Sequence, residues 1–220
     1  MEFEGLSPEL PAFLAQLAAN NERAWFMDHK REYEAHVQGP LRRLVAALAP
    51  AMLAIDPGFD VNPKGAAVSR IHRDVRFSRD KSPYRVNQWI AFKRPGEGWQ
   101  GRPAFFLEIG PAGWRYGMGY YAAPPSEVKA VRERVLALPG RFADLLAPAL
   151  EAGFAIEGDS YARPKLPEGL PLPVQEWVRR KSAYLVANRR LEDGLYGPGL
   201  VDELAGKWGA IAPLYAWLAP

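Results

Sequence analysis

The stretch VNQWIAFKRPGEGWQGRPAFFLEIGPAGWRYGMGYY, Val86 to Tyr121, decides the fold class. Val86 to Phe92, Ala104 to Ile109 and Trp114 to Tyr121 follow a period of two, as in strands whose successive side chains point to opposite faces. Between them lie turn residues, Pro95-Gly96-Glu97-Gly98 and Gly110-Pro111-Ala112-Gly113. Links this short predict an antiparallel meander, because a parallel pair needs a crossover of a dozen residues or more. Just upstream, Ala67 to Arg73 reads as a further strand.

On both sides of the meander the period becomes helical. Ser7-Pro8-Glu9 reads as N-cap, first-turn proline and acidic first turn, followed by Leu10, Phe13, Leu14 and Leu17 at helical spacing. This helix is expected to end near Asn20. Asn20 or Asn21 then caps a second helix carrying Trp25, Phe26, Tyr33 and Val37, broken at Gly39-Pro40. A third spans Leu41 to about Ile55, with Leu41, Leu44, Val45, Leu48 and Met52 on one side. Downstream, helices are predicted over Pro125–Leu138 and Gly140–Ala152, the second stopped by Gly153. A proline-rich loop from Tyr161 to Pro173 leads to a short helix around Trp177. The run SAYLVAN from Ser182 reads as a strand, and a last helix holds Leu204, Trp208, Ile211, Leu214 and Tyr215. Helices, then strands, then helices again, without alternation of the two, predict an α+β protein: one domain over residues 1–220, a central and mostly antiparallel sheet packed by N-terminal and C-terminal helices.

Composition narrows the function classes. The chain has 220 residues, a formal net charge of +3 and no cysteine. Disulfides, thiol nucleophiles, zinc ribbons and iron–sulfur ligation are therefore excluded, and a reducing cytoplasm is the expected location. No run of about 18 uncharged apolar residues occurs, so no membrane partner is expected. Heavy use of Ala, Arg, Gly and Pro suggests a bacterial, GC-rich source. No motif names a cofactor or fixes an oligomeric state.

The charge is concentrated in one place. RIHRDVRFSRDKSPYR, Arg70 to Arg85, carries six Lys and Arg side chains against two carboxylates. Strand alternation puts Arg70 and His72 on one face and Ile71 and Arg73 on the other. From Asp74 to Pro83 the segment reads as a loop with charge at its tip. Planar, permanently charged guanidinium groups suit phosphate or carboxylate, with serine hydroxyls completing the shell. The candidate ligand-binding residues are Arg70, Arg73, Arg76, Ser78, Arg79, Asp80, Lys81, Tyr84 and Arg85, with Asn21, Trp25 and Asp74 in support. An internal Arg/Asp ion-pair network is the competing reading of the same residues. In an enzyme, Asp74 or Asp80 would be base or metal ligand. A third reading is a nucleic-acid-binding module that grips the backbone with these arginines and stacks bases on Trp114 or Tyr116.

Other constellations carry less. His29 and His36, seven apart, are separated by about 10 Å along a helix, too far to share a metal. His72 and Asp74 have strand spacing, but the neighbouring arginines would repel a cation. Ser78 and Lys81 stand at the S-x-x-K offset outside its usual helical setting. Gly117-Met118-Gly119 reads as close-packed backbone rather than a phosphate cradle.

Four strings in this order, NNERAWFMDHKREY from Asn20, SRIHRDVRFSRDKSPYR from Ser69, FFLEIGP from Phe105 and GMGYY from Gly117, resemble the signature of the family called domain of unknown function 2461. The family-like region covers about 7–188, and 189–220 reads as a C-terminal helical extension. The resemblance implies a cytoplasmic bacterial protein and brings no mechanism. It marks Asn21, Trp25, Phe26, Arg70, Arg73, Asp74, Arg76, Phe77, Ser78, Asp80, Lys81, Pro83 and Tyr84 as signature positions. The expectation is a basic, arginine-rich cleft that binds a phosphorylated or otherwise anionic ligand, a small molecule or a nucleic-acid backbone. It could serve a phosphoryl- or phosphodiester-directed enzyme or a binder without catalysis.

Overall fold

The computed structural model describes residues 3–96, 98–120, 122–163, 166–192 and 194–219; Glu97 of the first turn and Tyr121 lie outside them. The chain is α+β with a five-stranded antiparallel sheet of β1 (Gln88–Phe92), β2 (Pro103–Ile109), β3 (Trp114–Tyr120), β4 (Ala155–Glu157) and β5 (Tyr184–Arg189), in the order β1-β2-β3-β5-β4. It divides into two compact units, Met1–Phe92 with Phe106–Arg115 and Asn188–Leu204, and Lys93–Phe105 with Tyr116–Ala187 and Ala205–Pro220.

In the first unit, α1 (Glu9–Ala19) buries Leu10, Phe13, Leu14 and Leu17, the predicted stripe. Helix α2 (Arg23–Asp28) and the single turn α3 (Lys30–Glu32) follow. The predicted break at Gly39-Pro40 does not occur. Residues Tyr33–Gln38 form a π-helical segment that runs into α4 (Gly39–Ile55). The Gly39 N–H bonds back to the Glu34 carbonyl, five residues earlier. A Cβ on Gly39 would lie 2.8 Å from that carbonyl oxygen, so glycine lets the wide turn close. Proline, which lacks an N–H, then sits in the first turn of α4, where the widened ladder tolerates it.

Strand β1 (Gln88–Phe92) and α4 pack together, with Gln88, Ile90 and Phe92 buried. The predicted strand over Ala67 to Arg73 is instead an extended leg joined by isolated bridges, Val68 with Ile90 of β1 and His72 with Tyr84 upstream of that strand. Strands β2 (Pro103–Ile109) and β3 (Trp114–Tyr120) complete the meander, and the Gly110 N–H bonds the Gly113 carbonyl at 2.9 Å in their link.

In the second unit, α5 (Pro125–Ala137) and α6 (Pro139–Glu151) lead to a short strand absent from the sequence reading, β4 (Ala155–Glu157). Three residues are too few for a period to register. Helix α7 (Leu172–Val178), β5 (Tyr184–Arg189) and α8 (Leu200–Leu218) follow. β4 pairs antiparallel with β5, Ile156 opposite Leu185. Phe142 meets Trp177 edge-on at 5.3 Å and Phe105 lies 5.8 Å from Trp208, which forms an aromatic core. Gly117 and Gly119 belong to this packing: a Cβ on Gly117 would stand 1.9 Å from the Leu185 carbonyl oxygen, and one on Gly119 2.2 Å from the Tyr184 Cβ. They are close-packed backbone, as read from the sequence. Among the described residues, no helix is long and apolar enough to cross a membrane.

Candidate functional site

Residues 67–91 of the first unit fold back on themselves as an arm. Its legs are tied by main-chain bonds from Ser69 N–H to the Trp89 carbonyl, Arg73 N–H to Pro83 and Arg85 N–H to Ile71, each at 2.8–2.9 Å. Alternation along the first leg is as expected: Ile71 is buried while Arg70 and His72 are exposed. The arm is held at its second leg by Asn21. That side chain accepts from the Tyr84 N–H and donates to the Tyr84 carbonyl, both at 3.0 Å, and so pairs with the strand as a neighbouring backbone would. Neither asparagine caps α2 with its side chain, because Asn21 is committed to Tyr84 and Asn20 donates back to Gln16. Phe26 stacks on the Tyr84 ring at 4.2 Å. Tyr84 is thus a buried frame residue. Trp25, half-buried, packs against Phe13 and stacks on His29 at 4.0 Å.

The loop 74–82 at the end of the arm is closed by its own side chains. Arg73, three-quarters buried, is ion-paired with Asp80 and donates to Ser78 Oγ at 3.4 Å. Asp80 also accepts from the Ser82 N–H and hydroxyl at 2.9 and 2.6 Å. Lys81 Nζ donates to the Val75 carbonyl at 3.0 Å. Ser78 and Lys81 therefore face different partners, which leaves no nucleophile–base pair between them. Asp74 grips Arg76 through Nε at 2.9 Å and Nη2 at 2.7 Å. Hydrogen bonds from Arg76 hold the Asp74 carboxyl down at about 2, and those from Ser82 and Arg73 push Asp80 lower still. Of the two carboxylates, Asp80 is the one tied to the better-buried guanidinium. His72 has ring contacts with Tyr84 and Phe26. Among the described residues, no three His, Asp or Glu side chains gather where a metal ion could be held.

The remaining cations are disposed outward. Arg70 and Arg79 are exposed and make no hydrogen bond or ion pair with any described residue. Arg70 acts on Asp74 only through space. Arg76 keeps 76% of its side chain accessible despite its pairing. At the foot of the arm Arg85 donates to the His72 carbonyl at 3.3 Å and lies over the Trp89 ring at 4.8 Å. Phe77, at the tip, is 94% exposed, with the Arg76 guanidinium 5.8 Å from its centroid. Two cavities lie in the second unit, one lined by Tyr120, Glu127, Arg132 and Trp177, another by Glu157, Asp159 and Tyr184, with Arg180 and Ser182 in both. None of these groups of the arm lines either cavity. Trp114 and Tyr116, the stacking platforms expected of a nucleic-acid binder, are buried at 3% and 0% exposure.

The Arg85–Trp89 stack escaped sequence reasoning, although its signal was there. With Ile90 and Phe92 pointing inward, alternation turns Trp89 outward, four residues after an arginine.

An α+β frame that presents a cross-braced basic arm is the class of protein these features define. The model of the family described as conserved hypothetical protein (DUF2461) matches residues 9–217, and the chain belongs to that family. The match takes in α8 as well as the region before residue 188. A search among curated proteins finds no match.

Proposed function

We propose that this protein binds a phosphorylated or otherwise anionic ligand on the open surface of the arm from Arg70 to Arg85. The observation that carries the reading is the pair of exposed guanidinium groups, Arg70 and Arg79, without hydrogen-bonded partners among the described residues. Each offers five N–H donors, and nothing in the local lattice uses them. The lattice reading and the binding reading apply to different residues. Arg73, Asp80, Ser78, Ser82, Lys81 and Asp74 brace the arm; Arg70, Arg79 and the accessible part of Arg76 remain for a ligand.

Binding is favoured over catalysis by the state of the carboxylates. A general base works best with a pKa near the operating pH, whereas Asp74 is held at about 2 and Asp80 lower. Both are acceptors already occupied by arginine. The absence of cysteine and the Arg-, Ala- and Gly-rich composition support a bacterial cytoplasm as the setting.

Thermal melts in phosphate, sulfate or tripolyphosphate, with ionic strength matched by chloride, test the reading. A ligand that binds only the native state raises Tm with concentration. A rise is expected for the native chain, and a smaller one for Arg79→Ala and Arg70→Ala. A Tm that no millimolar anion moves beyond the chloride control refutes it.

A further inference from the structure

Phe77 stands where a soluble fold has least reason to put a large apolar ring. It is 94% exposed, at the tip of a loop that its own side chains close. Burying such a ring would stabilise the fold, a gain this fold leaves unused. The Arg76 guanidinium stands over the ring, and Arg79 and Lys81 follow within four residues of chain. A second guanidinium–ring stack, Arg85 on the half-buried Trp89, lies at the foot of the same arm. The arm thus offers π-faces at both ends and unpaired arginines along its length.

That combination suits a chain that alternates planar rings with negative charges. We infer that the anionic ligand of the arm is single-stranded nucleic acid, with phosphates on Arg70 and Arg79 and a base stacked on Phe77; the inference rests on the anion-binding reading above. Base–aromatic stacking tolerates any sequence because every base has a π-face, and guanidinium groups beside the ring add cation–π attraction. A duplex would meet the arginines equally well but keeps its bases stacked on one another, leaving Phe77 without a partner. A membrane surface is the weaker fit. Interfacial binding needs an apolar face of several residues, and here one ring is flanked by Arg76 and Ser78.

The test measures the full chain by fluorescence anisotropy with a labelled oligothymidine and oligouridine of about twelve nucleotides. The parallel probes are the same sequence as a duplex, tripolyphosphate as competitor, and vesicles of phosphatidylcholine with phosphatidylserine. Phe77→Ala should weaken binding of the single strands about tenfold while leaving the tripolyphosphate affinity unchanged. Arg79→Ala should weaken both, and single-strand affinity should fall linearly on a log–log plot against salt. Because Phe77 packs against no core, its removal should leave the denaturation midpoint in place, which separates lost stacking from lost fold. If tripolyphosphate binds but single strands bind no better than duplex, or Phe77→Ala changes their affinity less than twofold, the nucleic-acid inference falls and the anion reading stands. If neither tripolyphosphate nor oligonucleotide binds, both fall. Vesicle binding that depends on Phe77, without oligonucleotide binding, also overturns the inference.

Discussion

Replacing Asn21 by alanine should loosen the basic arm more than any other single change outside it. The side chain spans 63 residues of sequence to make two hydrogen bonds to the Tyr84 backbone, each 3.0 Å long and part-buried. Each bond contributes about 0.5–1.5 kcal/mol net, and the orphaned Tyr84 N–H and carbonyl add some desolvation cost because Tyr84 is buried. The sum is about 2 kcal/mol. In a chain of this length that lowers Tm by roughly 4–8 °C. Asn20→Ala is the matched control: its side chain donates only to Gln16 within an exposed helix end, and its loss should stay within about 0.5 kcal/mol. Urea denaturation of the two variants gives the comparison. Hydrogen exchange at the Tyr84 and Arg73 amides, both bonded in the arm, should accelerate in Asn21→Ala and not in Asn20→Ala. Equal stability losses in the two variants, or unchanged exchange at Tyr84, would refute the clamp.

Two further outcomes follow from the geometry. Asp74 and Asp80 have folded pKa values depressed below the ordinary 3.8, so the stability each contributes is present above that value and is lost as pH falls through the folded one. The deficit of Asp80→Asn relative to the native chain, read as a urea midpoint, should therefore be full at pH 6 and shrink as pH drops below about 4; a deficit that grows in acid has the wrong sign. Asp80→Asn should also destabilise more than Asp74→Asn, since Asp80 holds the better-buried arginine. In the second unit, Gly117→Ala must push β3 from β5, because its Cβ would overlap the Leu185 carbonyl at 1.9 Å. A loss of about 3 kcal/mol or failure to fold is expected, and a variant that melts like the native chain argues against that strand pairing.

The family match and the α+β frame were both legible in the chain. Leu10, Phe13, Leu14 and Leu17 announce α1 because solvent imposes a 3.6-residue period on one face. Ile90 and Phe92 announce β1 by a period of two. The excess of guanidinium in Arg70 to Arg85 is visible by counting, and alternation places Arg70 and His72 on one face. Where two preferences met, the local rule failed. Gly39-Pro40 reads as a break, yet a π-helical turn absorbed it, because packing of Val37 and Leu41 outweighs one missing hydrogen bond.

The sequence by itself determined which residues share a face of each element, since that depends on neighbours one to four residues away. It also determined that cations outnumber carboxylates in the arm. Only the tertiary structure decided which side chains are partners. Asn21 reaches Tyr84, Arg73 takes Asp80 rather than Asp74, and Gly117 admits a carbonyl from β5 that lies 68 residues on. Trp114 and Tyr116 went into the core while Phe77 stayed out. The reason is physical: periodicity records how often a residue faces solvent, whereas hydrogen bonds and ring contacts depend on distances between segments that no local pattern encodes.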